Sequence, residues 1–280
     1  MKQLLAILVL VCLAWSQAGG PYSNAPAQAP LQASSSVSAN PEDENSRKAK
    51  AVVAQGIQAL GGQAYLNIRD REQSGRGYTL HHGQQTSNGV LFWSFWEFPD
   101  KERVELTKER DVTELYVGNK GYEITYKGVH PVEEKDLVDY LRRRQFSLDT
   151  VLRTWGNDSG VMFIYEGNAI AAQHPTLQVT LINSKNESVT LYFDVDTHLP
   201  VKKAFEWRDP VDRQKNLEEE IYGNYRQVSG VMVPYNVTRY FNGDMSAERY
   251  IFSTTINQNP DPAMFDPNSG YDPNKPAKKH

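Results

Sequence analysis

Two hairpin-like stretches in the last third of the chain limit what it can fold into. Leu199-Pro200-Val201-Lys202-Lys203 and Gly230-Val231-Met232-Val233-Pro234 each set turn-forming residues among long segments with alternating side chains, and Asn259-Pro260-Asp261-Pro262 ends the pattern. Val189, Leu191, Phe193 and Val195 share one parity, Thr190, Tyr192, Asp194 and Asp196 the other. Alternation with period two is the signature of a half-buried strand. Seven such segments run in succession, at 161–168, 177–183, 188–195, 200–207, 217–227, 231–240 and 246–256. Their connections are short and rich in turn residues, which favours antiparallel neighbours over parallel crossovers.

Five further segments, at 77–80, 90–98, 103–107, 112–117 and 122–126, have the same character, giving about twelve strands in all. No period of about 20–50 residues recurs, which argues against a propeller or a solenoid. An antiparallel sheet of this size does not stay flat and open; it curls or closes.

Two stretches break the strand pattern. Residues 44–60 place Ala51, Val52, Ala54, Ile57 and Leu60 on one helical face and end at Gly61-Gly62, a helix-stopping pair. A short helical turn through Ala64, Tyr65, Leu66 and Ile68 follows. Between the two groups of strands, 132–155 sets Leu137, Tyr140, Leu141, Leu148, Val151, Leu152 and Trp155 on roughly one helical stripe, with Ser147 as an N-cap that divides it into two helices. A partly closed barrel needs cover for its apolar inner face, and these segments are the candidates. The expected class is α+β: a strongly curved antiparallel sheet, an unclosed β-barrel, embracing one to three helices.

The chain opens with Met1-Lys2, an apolar run from Leu4 to Trp15 and the small-residue ending Ser16-Gln17-Ala18. That is the layout of a cleavable export signal over 1–18, too short to cross about 30 Å of hydrocarbon. The expected product is periplasmic and not membrane-spanning. Cys12, the single cysteine, lies inside this run behind Val11, where lipidation needs a small residue. The exported chain would therefore carry no thiol, which excludes disulfides and Cys-based zinc sites. Residues 19–45, dominated by Ala, Ser, Pro, Gln and Asn, read as a disordered linker; 46–267 form one domain, and 268–280 a disordered tail. The net charge of −4, with both signs interspersed, argues against nucleic acid as a partner.

Little in the chain spells out chemistry. There are six histidines, but no H-E-x-x-H or its inverse and no G-x-S-x-G elbow. His81-His82 read as a turn. Glu218-Glu219-Glu220 and the pair Asp194/Asp196 read as solvated strand faces. Arg142-Arg143-Arg144 point about 100° apart on a helix, so they cannot all serve one site. They read as a solvated face, or as a lid whose arginine reaches an anionic headgroup. No catalytic residue, cofactor or metal is expected.

The sharpest local feature is Leu91-Phe92-Trp93-Ser94-Phe95-Trp96-Glu97-Phe98. Phe92, Trp96 and Phe98 point one way and Leu91, Trp93 and Phe95 the other, so the strand is either covered on both faces or forms a cavity wall. Aromatic walls suit apolar ligands, because each ring offers a large area at small entropic cost. The candidate cavity residues are Trp93, Phe95 and Trp96 on the strand and Leu137, Leu141, Leu148 and Leu152 on the covering helices. Which strand face points inward stays open.

In order of parts the chain resembles the LolA/LolB-like superfamily of outer-membrane lipoprotein carriers. The resemblance rests on Phe193-Asp194-Val195-Asp196-Thr197-His198-Leu199-Pro200-Val201, similar to the family's D-x-x-T-x-L-P hairpin, and on residues 222–234, similar to its Y-x-x-V-x-G-V-x-x-P hairpin. Thr254 to Pro260 and Phe265 are similar to its closing strand and terminal aromatic. These words specify turns rather than an activity. The resemblance implies an unclosed barrel around helices with a cavity for acyl chains, and a non-enzymatic carrier whose partners are lipids or acylated proteins. In the carriers a single arginine inside the sheet controls lid closure, and no arginine here lines up with it. The alternative on the same scaffold is a periplasmic sensor or envelope-protein interaction module with a packed cavity. A hydrolase is the third reading.

Overall fold

The computed structural model describes residues 41–81, 84–86 and 88–274. The expected export signal, Cys12, most of the expected linker and His82 lie outside them. Four helices and fourteen strands occur among the described residues. The helices are α1 (Pro41–Leu60), α2 (Gln63–Leu66), α3 (Glu134–Gln145) and α4 (Leu148–Arg153). The strands are β1 (Asp70–His81), β2 (Gln84–Gln85), β3 (Val90–Glu97), β4 (Lys101–Leu106), β5 (Val112–Val117), β6 (Lys120–Thr125), β7 (Gly128–Pro131), β8 (Met162–Ala171), β9 (His174–Ile182), β10 (Ser188–Asp194), β11 (Pro200–Arg208), β12 (Lys215–Val228), β13 (Val231–Phe241) and β14 (Asp244–Ile256). The two strands absent from the expected twelve are β2, which is two residues long, and β7, whose terminal Gly128 and Pro131 read as turn residues. β1 starts seven residues before the expected 77–80 segment, because Asp70 to Ser74 are polar on both parities.

The sheet runs β7-β6-β5-β4-β3-β1-β14-β13-β12-β11-β10-β9-β8, every pair antiparallel. It consists of two meanders joined side by side through β1 and β14, with Arg71 opposite Ile256 and Thr79 opposite Ala247. β7 and β8 are its two ends and do not bond to each other, so the barrel stays open. The chain passes from β7 to β8 through α3 and α4. A connection between opposite edges of a curved sheet must cross its mouth, and this topology explains why the helical interruption falls between the two meanders.

Two cores result. The larger lies on the concave face, where Val53 and Leu60 of α1, Val151 and Leu152 of α4, and Trp155 meet Val179, Leu181, Val189, Leu191 and Phe193 of the second meander. Removing such side chains from water contributes roughly 1.5–3 kcal/mol each. α1 reaches the sheet because Gly56 has no side chain; a methyl there would overlap the Phe193 ring. α1 ends at Gly61, whose φ of 126° needs glycine and whose missing methyl lets the helix abut the Gly230 carbonyl. The smaller core is on the convex face, where Phe95 and Leu115 are covered by Met264 and Phe265, with Trp93 and Tyr271 beside them. Beneath this cover Arg103, 2% exposed, donates to fully buried Glu105 at 2.6 Å and to the Met264 carbonyl at 3.1 Å. The segment after Phe265, expected to be a disordered tail from 268, lies on this face as far as Asn274: Tyr271 stands 4.8 Å from the Arg103 guanidinium, and Asn274 donates to the Glu109 carbonyl at 3.0 Å.

Candidate functional site

The concave face is filled at one end by α1 and α4 and hollow at the other. Between α3 and the inner side of β1, β3–β6 and β12–β14 lies a cavity of about 920 Å³, within the roughly 300–1,000 Å³ usual for ligand cavities. Its floor is apolar: Leu60 and Ile68 from the helical layer, Val231 and Val233 from β13, Ile251 from β14. Its walls are charged, and the sign changes across the sheet. Glu102, Glu114 and Glu123 project from β4, β5 and β6; Arg71, Arg249 and Arg239 project from β1, β14 and β13.

Each sign has its own support. Glu102 accepts from Ser94 Oγ at 3.2 Å and from Tyr140 Oη at 3.0 Å, and Tyr140 stacks on Tyr116 with ring centroids 3.5 Å apart. Tyr116 in turn donates to Glu114 at 3.2 Å. Burial, together with the nearby Glu102, Asp136 and Glu123 carboxylates, pushes the Glu114 carboxyl above its ordinary value despite that hydrogen bond. On the basic side Arg71 pairs with Asp149 at 2.9 Å. Lys203, Glu220 and Arg239 form a row across β11, β12 and β13, with Lys203 Nζ 2.9 Å and Arg239 Nη2 3.3 Å from Glu220. Burial alone would raise the Glu220 carboxyl, but these two cations hold it well below the carboxylate range. Arg249 lies over the Phe92 ring at 4.5 Å, and burial lowers its guanidinium from the ordinary value.

α3 covers this cavity without a single buried residue. Polar clasps hold it. At one end Arg142 Nε and Nη2 reach Glu218 Oε1 at 3.3 Å and Arg143 Nε donates to Glu218 Oε2 at 3.0 Å. At the other, Arg144 Nη1 donates to the carbonyls of Asp100 and Gly118, at 3.2 and 2.7 Å. The expectation of a solvated arginine face is corrected here: the three side chains do diverge, but they fan out to separate anchors on both sides of the mouth. Glu218 is likewise corrected. It is 2% exposed and serves as the buried counter-charge of the clasp. Asp194 is buried too, capping its hairpin by accepting from the Asp196 and Thr197 amides at 3.1 and 2.8 Å, while Asp196 and Glu219 lie nearer solvent.

Of the expected cavity residues, Trp96 and Leu148 line the hollow. Trp93 and Phe95 face the convex side and pack in the second core. Strand β3 therefore turns Phe92, Ser94 and Trp96 inward. Leu152 is 1% exposed in the main core beside the hollow. Leu137 sits on α3 near Tyr116 and Gly121, and Leu141 is half-buried on the same helix. Sequence reading missed the charged walls, yet it held a signal for them: Arg239 continues the parity of Val231, Val233, Tyr235 and Val237, and Arg249 that of Ile251. A charge on a core-facing parity marks a polar hollow. Among the described residues no group of three or more His, Cys, Asp or Glu is placed to hold a metal ion, and no helix is long and apolar enough to cross a membrane.

No family model matches the sequence, and no curated protein matches it by sequence. Solved structures do match in fold. A DUF1329-family protein from Desulfovibrio piger superposes with a TM-score of 0.56 at 9% identity, over 79% of this chain and 97% of that one. A putative outer-membrane lipoprotein-sorting protein domain from Vibrio parahaemolyticus gives 0.51 at 11% identity, again over 79% and 97%. The fold is LolA-like.

Proposed function

We propose that the protein is an exported, periplasmic, non-enzymatic carrier or binder of lipids or lipid-modified proteins, holding its ligand between α3 and the concave face of the sheet. The observation that carries this reading is the hollow itself. A scaffold with a fully packed concave face would suit a pure interaction module, whereas here a cavity of about 920 Å³, floored by Leu60, Ile68, Val231, Val233 and Ile251, remains beneath a helix that contributes no buried residue. Apolar chain laid on that floor gains about 0.8 kcal/mol per buried methylene. The charged walls make the ligand an amphiphile rather than a bare hydrocarbon, since a charged wall facing only methylenes would lose its hydration without compensation. The LolA-like fold, shared with a protein described as lipoprotein-sorting, supports the same reading.

The test is denaturing mass spectrometry of organic extract from the purified protein, together with titration of an environment-sensitive apolar dye. Bound amphiphile in the extract, or saturable dye binding that Leu148→Glu weakens while the fold persists, is the expected result. An empty extract and no saturable dye binding would leave the packed interaction module as the better reading.

A further inference from the structure

The basic wall is not neutralised by the protein. Arg71 has Asp149 and Lys203 and Arg239 share the single carboxylate of Glu220, while Arg249 makes an ion pair with none of the described residues and feels Glu102 and Glu220 only at a distance. Lys203 is the nearer partner of Glu220, and Arg239 Nε is buried with no hydrogen-bond acceptor. Arg249 rests on the Phe92 ring and, among the described residues, has no carboxylate or carbonyl partner. A guanidinium carries five donors in a planar fork, and leaving them unpaired in a confined space is costly. Two such groups side by side point to something that completes them.

Their placement fits a small oxyanion. β13 and β14 pair Val237 with Arg249 and Arg239 with Ala247, so the two arginines are diagonal neighbours on one face, roughly 7–8 Å apart at the backbone. The positions beside them are small: Ala247 faces Arg239, and on β1 Gly77 faces Arg249, where a methyl would meet nothing. Apolar side chains lead away from the pair along the same strands, through Val237, Val233 and Ile251. The opposite wall, with Glu102, Glu114 and Glu123, repels an anion, so an amphiphile entering the hollow has one favourable orientation.

We propose that Arg239 and Arg249 bind the phosphate or carboxylate oxyanion of an amphiphile whose tail lies along Val237, Val233 and Ile251 on the cavity floor. This rests on the carrier reading for the tail, but the anion site stands on its own residues. Charge-assisted, forked hydrogen bonds are the strong class for such groups.

The experiment measures affinity of the purified protein for three probes below their micelle concentrations: dihexanoyl phosphatidic acid, the uncharged dihexanoylglycerol, and inorganic phosphate. Wild type is compared with Arg249→Gln, Arg249→Lys, Arg239→Gln and the surface control Arg208→Gln. The anionic lipid is expected to bind about tenfold or more tighter than the neutral one. Arg249→Gln should remove most of that preference and Arg249→Lys only part of it, because charge is kept and the fork lost, whereas Arg208→Gln should leave the affinities for both lipids within about twofold of wild type. Equal affinity for the two lipids, or a preference that survives both Gln variants, would overturn the anion site and leave the carrier reading standing. Arg249-dependent binding of free phosphate without lipid binding would support the site and overturn the carrier reading. No binding of any probe would overturn both. Arg249→Lys keeps the test valid if either Gln variant fails to fold.

Discussion

The Arg142 guanidinium lies over the Trp207 ring, 3.5 Å from its centroid, while its nitrogens reach Glu218 on the neighbouring strand. One side chain thus joins the covering helix to two strands by stacking and by charge. Buried cation–π contacts contribute about 2 kcal/mol when desolvated, and a buried ion pair broken from one side costs about 3–5 kcal/mol. α3 buries no residue, so its hold on the sheet depends on this latch, on Arg144, and on Tyr140, which stacks on Tyr116 and donates to Glu102.

Glu218→Gln therefore should loosen α3 more than the rest of the fold. It keeps an acceptor for the arginines but removes their counter-charge on the sheet, leaving Arg142 and Arg143 only Asp139 of α3 itself. Amide hydrogen exchange should speed up across Glu134–Gln145 by roughly tenfold or more, with little change in β9–β11. Uniform acceleration, or none, would show that α3 is an integral part of the core.

The clasp marks the limit of what could be read in advance. The hairpins were legible because Asp194 and Thr197, or Gly230 with its φ of 82°, act locally; their turn chemistry is written in adjacent residues. The curved sheet followed from the count and alternation of strands. Arg142 and Glu218 are 76 residues apart, and each alone looks like an ordinary solvated charge. The same holds for Arg103 and Glu105, buried only because the segment after Pro262 covers them. Trp93 and Trp96 could not be assigned to faces, because both faces of β3 are covered and apolar periodicity vanishes. Long-range burial of charge leaves no local signature except its parity, which Arg239 does display.

A local close approach gives a sharper prediction. Gly56→Ala places a methyl into the Phe193 ring, in a core with no slack around α1. The cost should be about 1–3 kcal/mol, as for other overpacked sites, despite the helix-propensity gain of alanine. Phe193→Leu in the same chain should recover part of it. A double-mutant cycle by urea unfolding measures the coupling; a stabilised Gly56→Ala would mean that α1 does not press on this ring.

Glu114 gives a pH-dependent prediction with a definite sign. Burial and the neighbouring Glu102, Asp136 and Glu123 raise its carboxyl above the ordinary 4.5. The folded state then holds the proton more tightly than the unfolded state, so stability from this group is present at low pH and is lost as pH rises through the folded value. Glu114→Gln, which still accepts from Tyr116, should stabilise the protein at pH 7 by roughly 0.5–1 kcal/mol. The gain should fade below pH 4.5. Melting curves at the two ends of that range decide it: a variant destabilised at pH 7 would mean that the Glu114 charge is compensated in the fold.

The last prediction concerns the open edge of the sheet. β8 ends the sheet over ten residues and shows Ile170 83% exposed, a surface that invites pairing with another chain. Asn45 of α1 blocks it at one point. Its amide Nδ2 donates to the Tyr165 carbonyl at 2.9 Å, and its Oδ1 accepts from the Tyr165 amide at 2.8 Å, occupying both groups that a further strand would use. The kink at Gly167, with φ of 98° and a register shift against β9, bends the edge just beyond. Asn45→Ala removes the side chain and leaves the Tyr165 backbone to water or to a neighbour. Folding stability should fall by only about 1 kcal/mol, the net worth of such bonds. Self-association should rise more clearly, as concentration-dependent dimers in sedimentation velocity that Asn45→Asp, retaining one acceptor and adding charge at the edge, suppresses. Monomeric Asn45→Ala at every concentration would show that the bend at Gly167 and the packing of α1 protect the edge without it.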